Sequence, residues 1–517
     1  MPLTNQSVDS IENRTGRISV NDFSGGLNVV SSNEELADNE SIIRKNWDNN
    51  SRGAIGKVNG YTKKNATLMG AKPVRGLFRV YQSSGAKQLL AICNGKVFYS
   101  DDDGATFTQE SGSVAITETV YNSGVNYNDK LFFTNQTDNL YHYTPGTTTA
   151  AASTDKPTDP CRVILKRADR RLLALINSVN GSTLYFSKVD PTGVAADDWS
   201  AANDAGYIAI DGAKSESLTG GMTFGSVDII FKDYAAFKVW GYPSPQAVRM
   251  SGSPGCAAPQ SIAQGEGAGF HLAHDGVWLY NGSQFVKISD PIEDILDNIN
   301  SSYIQNAFGV YRDSKYWLFY TPSGSVVNTK CLIYDIAMSN PYAGKNVWYE
   351  RDALSMNSPV VFNGAGDDNE LYAGGSGDTG FVYRLDYSST GADNTSDITS
   401  TYQTKYFNDK TPYITKRFSR IFIRYFLAKG NVLVNWYTNG GTTVGNFSMP
   451  TTQTGVALGS FVLGTSALSE DTERTQFEHL PDTAIGKDIS LKFTHIGIGT
   501  TPIIRDVQID YELLYKE

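Results

Sequence analysis

The sequence predicts an all-β protein, and three features carry that expectation. Tyr (29), Phe (24) and Gly (49) are abundant while charged residues are only 19%, a mixture that favours strands and tight turns over helices. Asp-Gly and Asn-Gly dipeptides separate short apolar runs. Those runs recur at a spacing of roughly 40 residues, the length of a four-stranded propeller blade. The expected architecture is a β-propeller of six or seven blades over 66–388, with a linker at 389–399 and a C-terminal β-sandwich over 400–517. An N-terminal segment, 1–65, extended or holding a short helix, precedes them.

The stretch 270–288 shows the repeat most clearly. Three apolar runs are joined by Asp275-Gly276 and Asn281-Gly282. Such dipeptides favour type I′ turns, which need positive φ at both central residues. Two such hairpins make a three-strand meander. Its middle strand, Val277-Trp278-Leu279-Tyr280, is apolar throughout, so both faces are expected to be covered.

Comparable units are expected near 73–110, 115–146, 160–200, 207–252, 256–290, 303–350 and 353–388. Within 160–200, the segment 188–206 reads as a loop. Ser289-Asp290-Pro291 followed by Ile292, Ile295, Leu296 and Ile299 has the cap and spacing of an amphipathic helix. The small polar run 388–399 marks the domain boundary. Beyond it, strands are expected on both sides of Lys429-Gly430-Asn431, at FVLG (461–464), and at the end, where Val507, Ile509, Tyr511 and Leu513 alternate with polar residues.

Residues 1–20 are polar and read as extended. Asn33-Glu34-Glu35-Leu36 has the cap residue and acidic first turn of a helix start, with a short helix running to about Asn46. Around it lie Phe23-Ser24-Gly25-Gly26-Leu27-Asn28, Asp38-Asn39-Glu40, Asn46, Gly53 and Gly60-Tyr61. This set resembles the N-terminal signature of tail proteins from short-tailed bacteriophages, which are built round a β-propeller and form the hub or nozzle of the tail. The resemblance covers about 40 residues.

The chain carries 54 acidic against 44 basic residues, a net charge of −10. That balance disfavours a protein that grips a phosphate backbone. It does not forbid a channel through which nucleic acid passes without sticking, since like charges repel. Cys93, Cys161, Cys256 and Cys331 have no metal-binding or disulfide spacing and read as buried free thiols. The N-terminus has no apolar core of signal-peptide length, and no run is long enough to span a membrane.

Ser100-Asp101-Asp102-Asp103-Gly104-Ala105-Thr106-Phe107 matches the Asp-box pattern, with Phe where Trp is commoner. Asp102 and Gly104 are expected to form a structural turn, because turn chemistry accounts for every position. Glu216, Glu266, Glu293 and Asp335 are carboxylates at loops or strand ends, and nothing pairs them for glycoside hydrolysis. His271 and His274 sit three apart on a strand, so they face opposite ways. His142, His479 and His495 are scattered, and nucleophile-elbow, P-loop and zincin motifs are absent. Lys416, Arg417, Arg420 and Arg424 form a basic cluster on one strand, either a docking surface for an acidic partner or a solvated face.

The expectation is therefore a structural virion protein and not an enzyme, with no cofactor and no metal. The resemblance implies a ring of six copies that extends the DNA-exit channel. It also implies contacts with a portal or adaptor protein and with tail fibre or needle proteins, and viral DNA passing through without specific binding. Localisation follows: the virion tail, assembled in the host bacterial cytoplasm. Ring contacts are expected from Phe23, Gly25, Gly26 and Leu27, from Ile292 and Ile295, and from Arg417, Arg420 and Arg424. The alternative is a propeller glycoside hydrolase or carbohydrate-binding protein.

Overall fold

The computed structural model describes residues 15–51, 53–112, 114–145, 150–152, 156–176, 181–189, 198–201, 204–211, 216–364, 369–388, 392–426, 431–449, 473–497 and 502–514. These divide into two compact units, one of 62–346 with 351–385, the other of 1–61 with 347–350 and 386–517. The run 388–399, expected as the linker, lies partly outside the described residues, as do the 188–206 loop and FVLG.

The larger unit is a β-propeller. Among the described residues, six antiparallel sheets of four strands each follow one another along the chain, and the meander Phe308–Arg312, Lys315–Tyr320 and Lys330–Asp335 adds another sector. The innermost strands include Val74–Tyr81, Ser123–Tyr127, Cys161–Lys166 and Leu218–Phe224, then Ala263–Gly265, Phe308–Arg312 and Met356–Asn363. Most neighbours pack directly, the 3-10 turn Pro259–Ser261 lies against both Leu218–Phe224 and Phe308–Arg312, and the last strand packs on the first. The second strands are buried from end to end: Leu172–Ile176 and most of Lys87–Cys93, Val227–Lys232 and Lys315–Tyr320. A strand in the middle of a blade is covered by a neighbouring blade on each face, so it reads as a continuous apolar run.

A ring of sheets must close, or the edge of its last blade stays open. Here the first blade's approach does it. The strand Gly60–Lys63 completes the sheet of Met356–Asn363, Asn369–Gly375 and Val382–Ser388. Lys64 N donates to Val382 O at 2.9 Å and Met69 N to Gly380 O at 3.1 Å. The Asn65 side chain accepts from Val382 N at 2.7 Å and donates to Thr67 O and Gly380 O.

The 270–288 meander is present as Ala268–Ala273, Gly276–Tyr280 and Phe285–Lys287, and Val277, Leu279 and Tyr280 are buried. Its turns differ from the expected type. Ala273 pairs with Gly276, so the loop is His274-Asp275, and only Gly276 (φ 138°) has positive φ there. At the next turn Gly282 alone is positive, and Asn281 Oδ1 accepts from Ser283 N and Gln284 N. Paired positive φ is found instead at Asn94-Gly95 (52°, 65°), Asn128-Asp129 (47°, 59°) and Asp313-Ser314 (50°, 57°).

The other unit is a two-sheet sandwich. One sheet runs Trp47–Ser51, Ala54–Lys57, Ile503–Leu514, Thr415–Phe426, Arg474–His479, with Thr15–Val20 also on Ile503–Leu514. The facing sheet holds Glu40–Lys45, Ser400–Thr404, Ile489–His495, Val432–Thr438 and Thr442–Met449. Their shared core includes Trp47, Ile421, Ile423 and Val507 from the first and Tyr402, Val434, Trp436 and Phe493 from the second. Val507, Ile509 and Tyr511 point inward as their alternation requires.

Three expectations are corrected. Residues 33–46 hold no helix: a turn leads into the strand Glu40–Lys45. The acidic residues that resemble a helix cap bind turn amides, with Glu40 Oε2 accepting from Ala37 N at 2.8 Å and Glu35 Oε2 from Ser32 N at 3.3 Å. The N-terminal segment, expected to stand apart, belongs to the sandwich, whose core includes Ile18, Val20, Phe23, Trp47 and Ile55. The amphipathic run after Pro291 gives a 3-10 turn, Asp290–Ile292, and one α-turn, Glu293–Leu296.

His271 is fully buried against Phe231, ring centroids 4.5 Å apart, and burial pushes its pKa down to about 3. The native state therefore keeps it neutral while the unfolded chain charges it below about 6.5. Its contribution is intact above that pH and is lost as pH falls towards 3, by up to about 1.4 kcal/mol per pH unit. Urea unfolding of His271→Leu across this range should show a shallower loss of stability on acidification than the parent chain; parallel pH profiles would refute this.

Candidate functional site

The outward face of the sandwich sheet is built on two long strands. In Thr415–Phe426, strict alternation would send Arg417 and Arg420 to opposite faces. A bulge between Phe418 and Arg420 shifts the register, so Arg417, Arg420 and Arg424 emerge on one side. Lys416 does not join them. It is fully buried, with Nζ donating to the carbonyls of Thr411, Ile414 and Lys487, and burial lowers its pKa.

Opposite these arginines the strand Ile503–Leu514 presents acids. Arg417 pairs with Glu512, and Arg424 reaches Asp506 at 3.5 Å and Glu473 at 3.2 Å. From the N-terminal strand, Arg17 grips Asp510 through two bonds of 2.6 and 3.1 Å and lies over the Phe422 ring. Beside them is a groove of about 620 Å³ lined by Arg17, Arg417, Arg420, His479, Asp510 and Glu512. Arg420 is exposed and forms no ion pair among the described residues. The face therefore carries interleaved charge of both signs, with apolar groups at Phe477 and Ile485.

The other proposed contacts lie elsewhere. Phe23 and Leu27 are buried within the sandwich unit and Ile292 within the propeller, while Ile295 is half-buried. Phe23, Leu27 and Ile292 therefore act in holding each unit together, and a buried side chain presents no surface to a neighbour.

In the Asp box, Asp102 holds the turn. Its Oδ1 accepts from Ser100 Oγ at 2.8 Å and Thr106 N at 2.8 Å, and its Oδ2 from Thr106 Oγ1 at 2.6 Å. These bonds outweigh its desolvation and lower its pKa. Gly104 (φ 81°) donates its N–H to Ser100 Oγ at 2.9 Å.

Three of the four carboxylates weighed for hydrolysis are engaged locally. Glu266 accepts from Ser314 Oγ at 2.7 Å, Glu293 pairs with Lys287, and Asp335 caps its own turn through Met338 N at 3.1 Å. Glu216 is exposed, and its backbone carbonyl accepts from Ser182 Oγ at 3.1 Å. His274 lies in the loop after the strand Ala268–Ala273 and not on a strand face; it is exposed and stacks on Tyr234. All four cysteines are free and buried.

A second pocket, of about 220 Å³, lies in the propeller. Arg162, from the innermost strand Cys161–Lys166, faces it with Tyr121, Gln136, Gln260, Tyr303 and Gln305. Tyr121 is fixed from two sides: its Oη accepts from Asn357 Nδ2 at 2.9 Å and Arg75 stacks 4.5 Å from its ring centre. Sequence reasoning passed over Arg162. Its signal is a cation among the apolar residues at the start of an inner strand, Cys-Arg-Val-Ile-Leu-Lys.

No family model and no curated protein matches the chain. Several solved structures are similar at the level of fold. Virginiamycin B lyase from Staphylococcus aureus is 11% identical over 62% of this chain and 97% of its own, with a TM-score of 0.40. The computationally designed Ika8 protein is 9% identical, covering 63% and 99%, with a TM-score of 0.39. A chain of the Mitotic Checkpoint Complex is 9% identical, covering 62% and 93%, at 0.41. No activity or partner follows from likenesses of this kind.

Asp102→Ala removes three accepted hydrogen bonds from an exposed turn and should cost about 1 kcal/mol of stability. Denaturant unfolding should show a lower midpoint at unchanged slope. An unchanged midpoint would mean that the turn is held by other groups.

Proposed function

We propose that this chain is a structural virion protein, a subunit of a ring-shaped tail hub or nozzle of a short-tailed bacteriophage. The observation that carries the reading is how the residues of the N-terminal resemblance behave. Asp22 accepts from Ser24 N at 3.0 Å, Ser24 Oγ and Asn39 Nδ2. A Cβ on Gly25 would meet Asn39 O at 2.6 Å, and Ser41 Oγ donates to Gly26 O at 2.9 Å. Arg44, fully buried, donates to Phe23 O at 3.2 Å. Asn46 (φ 58°) donates to Thr399 O at 2.7 Å, and a Cβ on Gly60 would sit 1.7 Å from Ala392 O. A motif in which successive positions meet such demands supports a shared fold rather than chance similarity.

The mixed-charge face of the sandwich sheet gives the reading its assembly surface. Rings need heterologous contacts, in which two different patches of one chain meet. Interleaved Arg17, Arg417, Arg420 and Arg424 with Asp506, Asp510 and Glu512 can select a partner patch and its register. The partners in this reading are further copies of the chain in a six-membered ring, a portal or adaptor protein, and fibre or needle proteins. The chain resides in the tail after assembly in the bacterial cytoplasm. A net charge of −10 lets DNA move through a lumen without condensing on its wall.

Negative-stain microscopy and light scattering of the full chain with its portal or adaptor protein test this. Closed rings are expected, lost in Arg420→Glu/Arg424→Glu at unchanged melting temperature. A strict monomer in the adaptor's presence would overturn the proposal.

A further inference from the structure

We propose that the pocket beside the propeller's inner strands is a binding site for a single carboxylated sugar, a hexuronate or a related acidic monosaccharide. Arg162 is the pocket's cation. Its guanidinium forms no hydrogen bond or ion pair among the described residues, although it is largely withdrawn from water. Burial lowers its pKa, against the attraction of Asp233. An arginine kept from water without a carboxylate partner is costly, and a bound anion relieves that cost.

The surroundings narrow the anion. Guanidinium binds a planar carboxylate through two parallel hydrogen bonds. Around it stand three glutamines, 136, 260 and 305, whose amides both donate and accept, as sugar hydroxyls require. Gln305 donates its Nε2 to Ser302 O at 3.0 Å, which leaves its amide oxygen as an acceptor. Tyr121 and Tyr303 offer aromatic surface for the C–H face of a sugar ring. Tyr121 is held in place before any ligand arrives, by Asn357 and Arg75. Asn357 is in turn fixed by Asn328 Nδ2 at 2.9 Å. Preorganised groups of this kind lose little freedom on binding.

Size sets the last limit. About 220 Å³ is below the roughly 300–1,000 Å³ of sites for drug-sized ligands. One monosaccharide fits and an extended chain does not. The pocket and the arginine face invoked for ring assembly belong to different units and share no residue, so this site stands or falls independently of that proposal.

The test is ligand-observed NMR and calorimetry on the full chain with glucuronate, galacturonate, glucose and acetate. At least one uronate should bind, with glucose and acetate both weaker by about tenfold or more, a difference of about 1.4 kcal/mol. Arg162→Gln should abolish uronate binding, while Arg162→Lys, which keeps the charge, should retain part of it. Gln260→Leu should weaken the uronate without affecting acetate. Circular dichroism melting checks that each variant folds, and Gln260→Leu keeps the question open to decision should the Arg162 variants unfold. Equal binding of glucose would overturn the role of Arg162. Equal binding of acetate would overturn the sugar, and absence of uronate binding would overturn the site.

Discussion

Closure by the first seventy or so residues governs both units. In the propeller, Lys64, Asn65 and Met69 bind the backbone at Gly380 and Val382. In the sandwich, Thr15–Val20 lies along Ile503–Leu514 in unbroken antiparallel register. Sheets cannot end on an apolar edge without inviting foreign strands. The propeller solves this by bringing its beginning back to its end, and the sandwich covers part of its last strand with its first. The contacts are long-range in sequence, so forming them costs more loop-closure entropy than forming the hairpins within a blade.

That dependence explains what the N-terminal motif is for. Gly25, Gly26, Asn46 and Gly60 stand where the backbone makes close approaches or takes positive φ. A buried Arg44 ties the same segment together by donating to backbone and side-chain oxygens. Phe23 and Leu27 then fill the interior of the sandwich unit. In the proposed ring, the motif's role is to hold the subunit in shape, and the arginine-bearing sheet face is what meets a neighbour.

Much of this was readable from residue order. Blade-like units were visible because a central strand covered on both faces must be apolar throughout, as Leu172–Ile176 is. The final strand was visible because one wet face enforces alternation. Turn geometry was less visible. Asn128-Asp129 and Asp313-Ser314 take left-handed backbone without glycine, whereas Asp275 ahead of Gly276 does not. Glu35 and Glu40 imitate a helix cap because bonding a free amide is the same chemistry in a turn. The arginine face depended on a bulge that no residue pattern announces. The Arg162 pocket depended on segments far apart in sequence meeting within the propeller.

Hydrogen exchange read by mass spectrometry tests the closure most directly. The amides of Lys64, Met69 and Val382 should exchange only with global unfolding, as slowly as those of the buried strand Lys87–Cys93. Faster exchange of these three through a local opening, with Lys87–Cys93 still protected, would show that the propeller holds its shape without the N-terminal strand and would contradict the account.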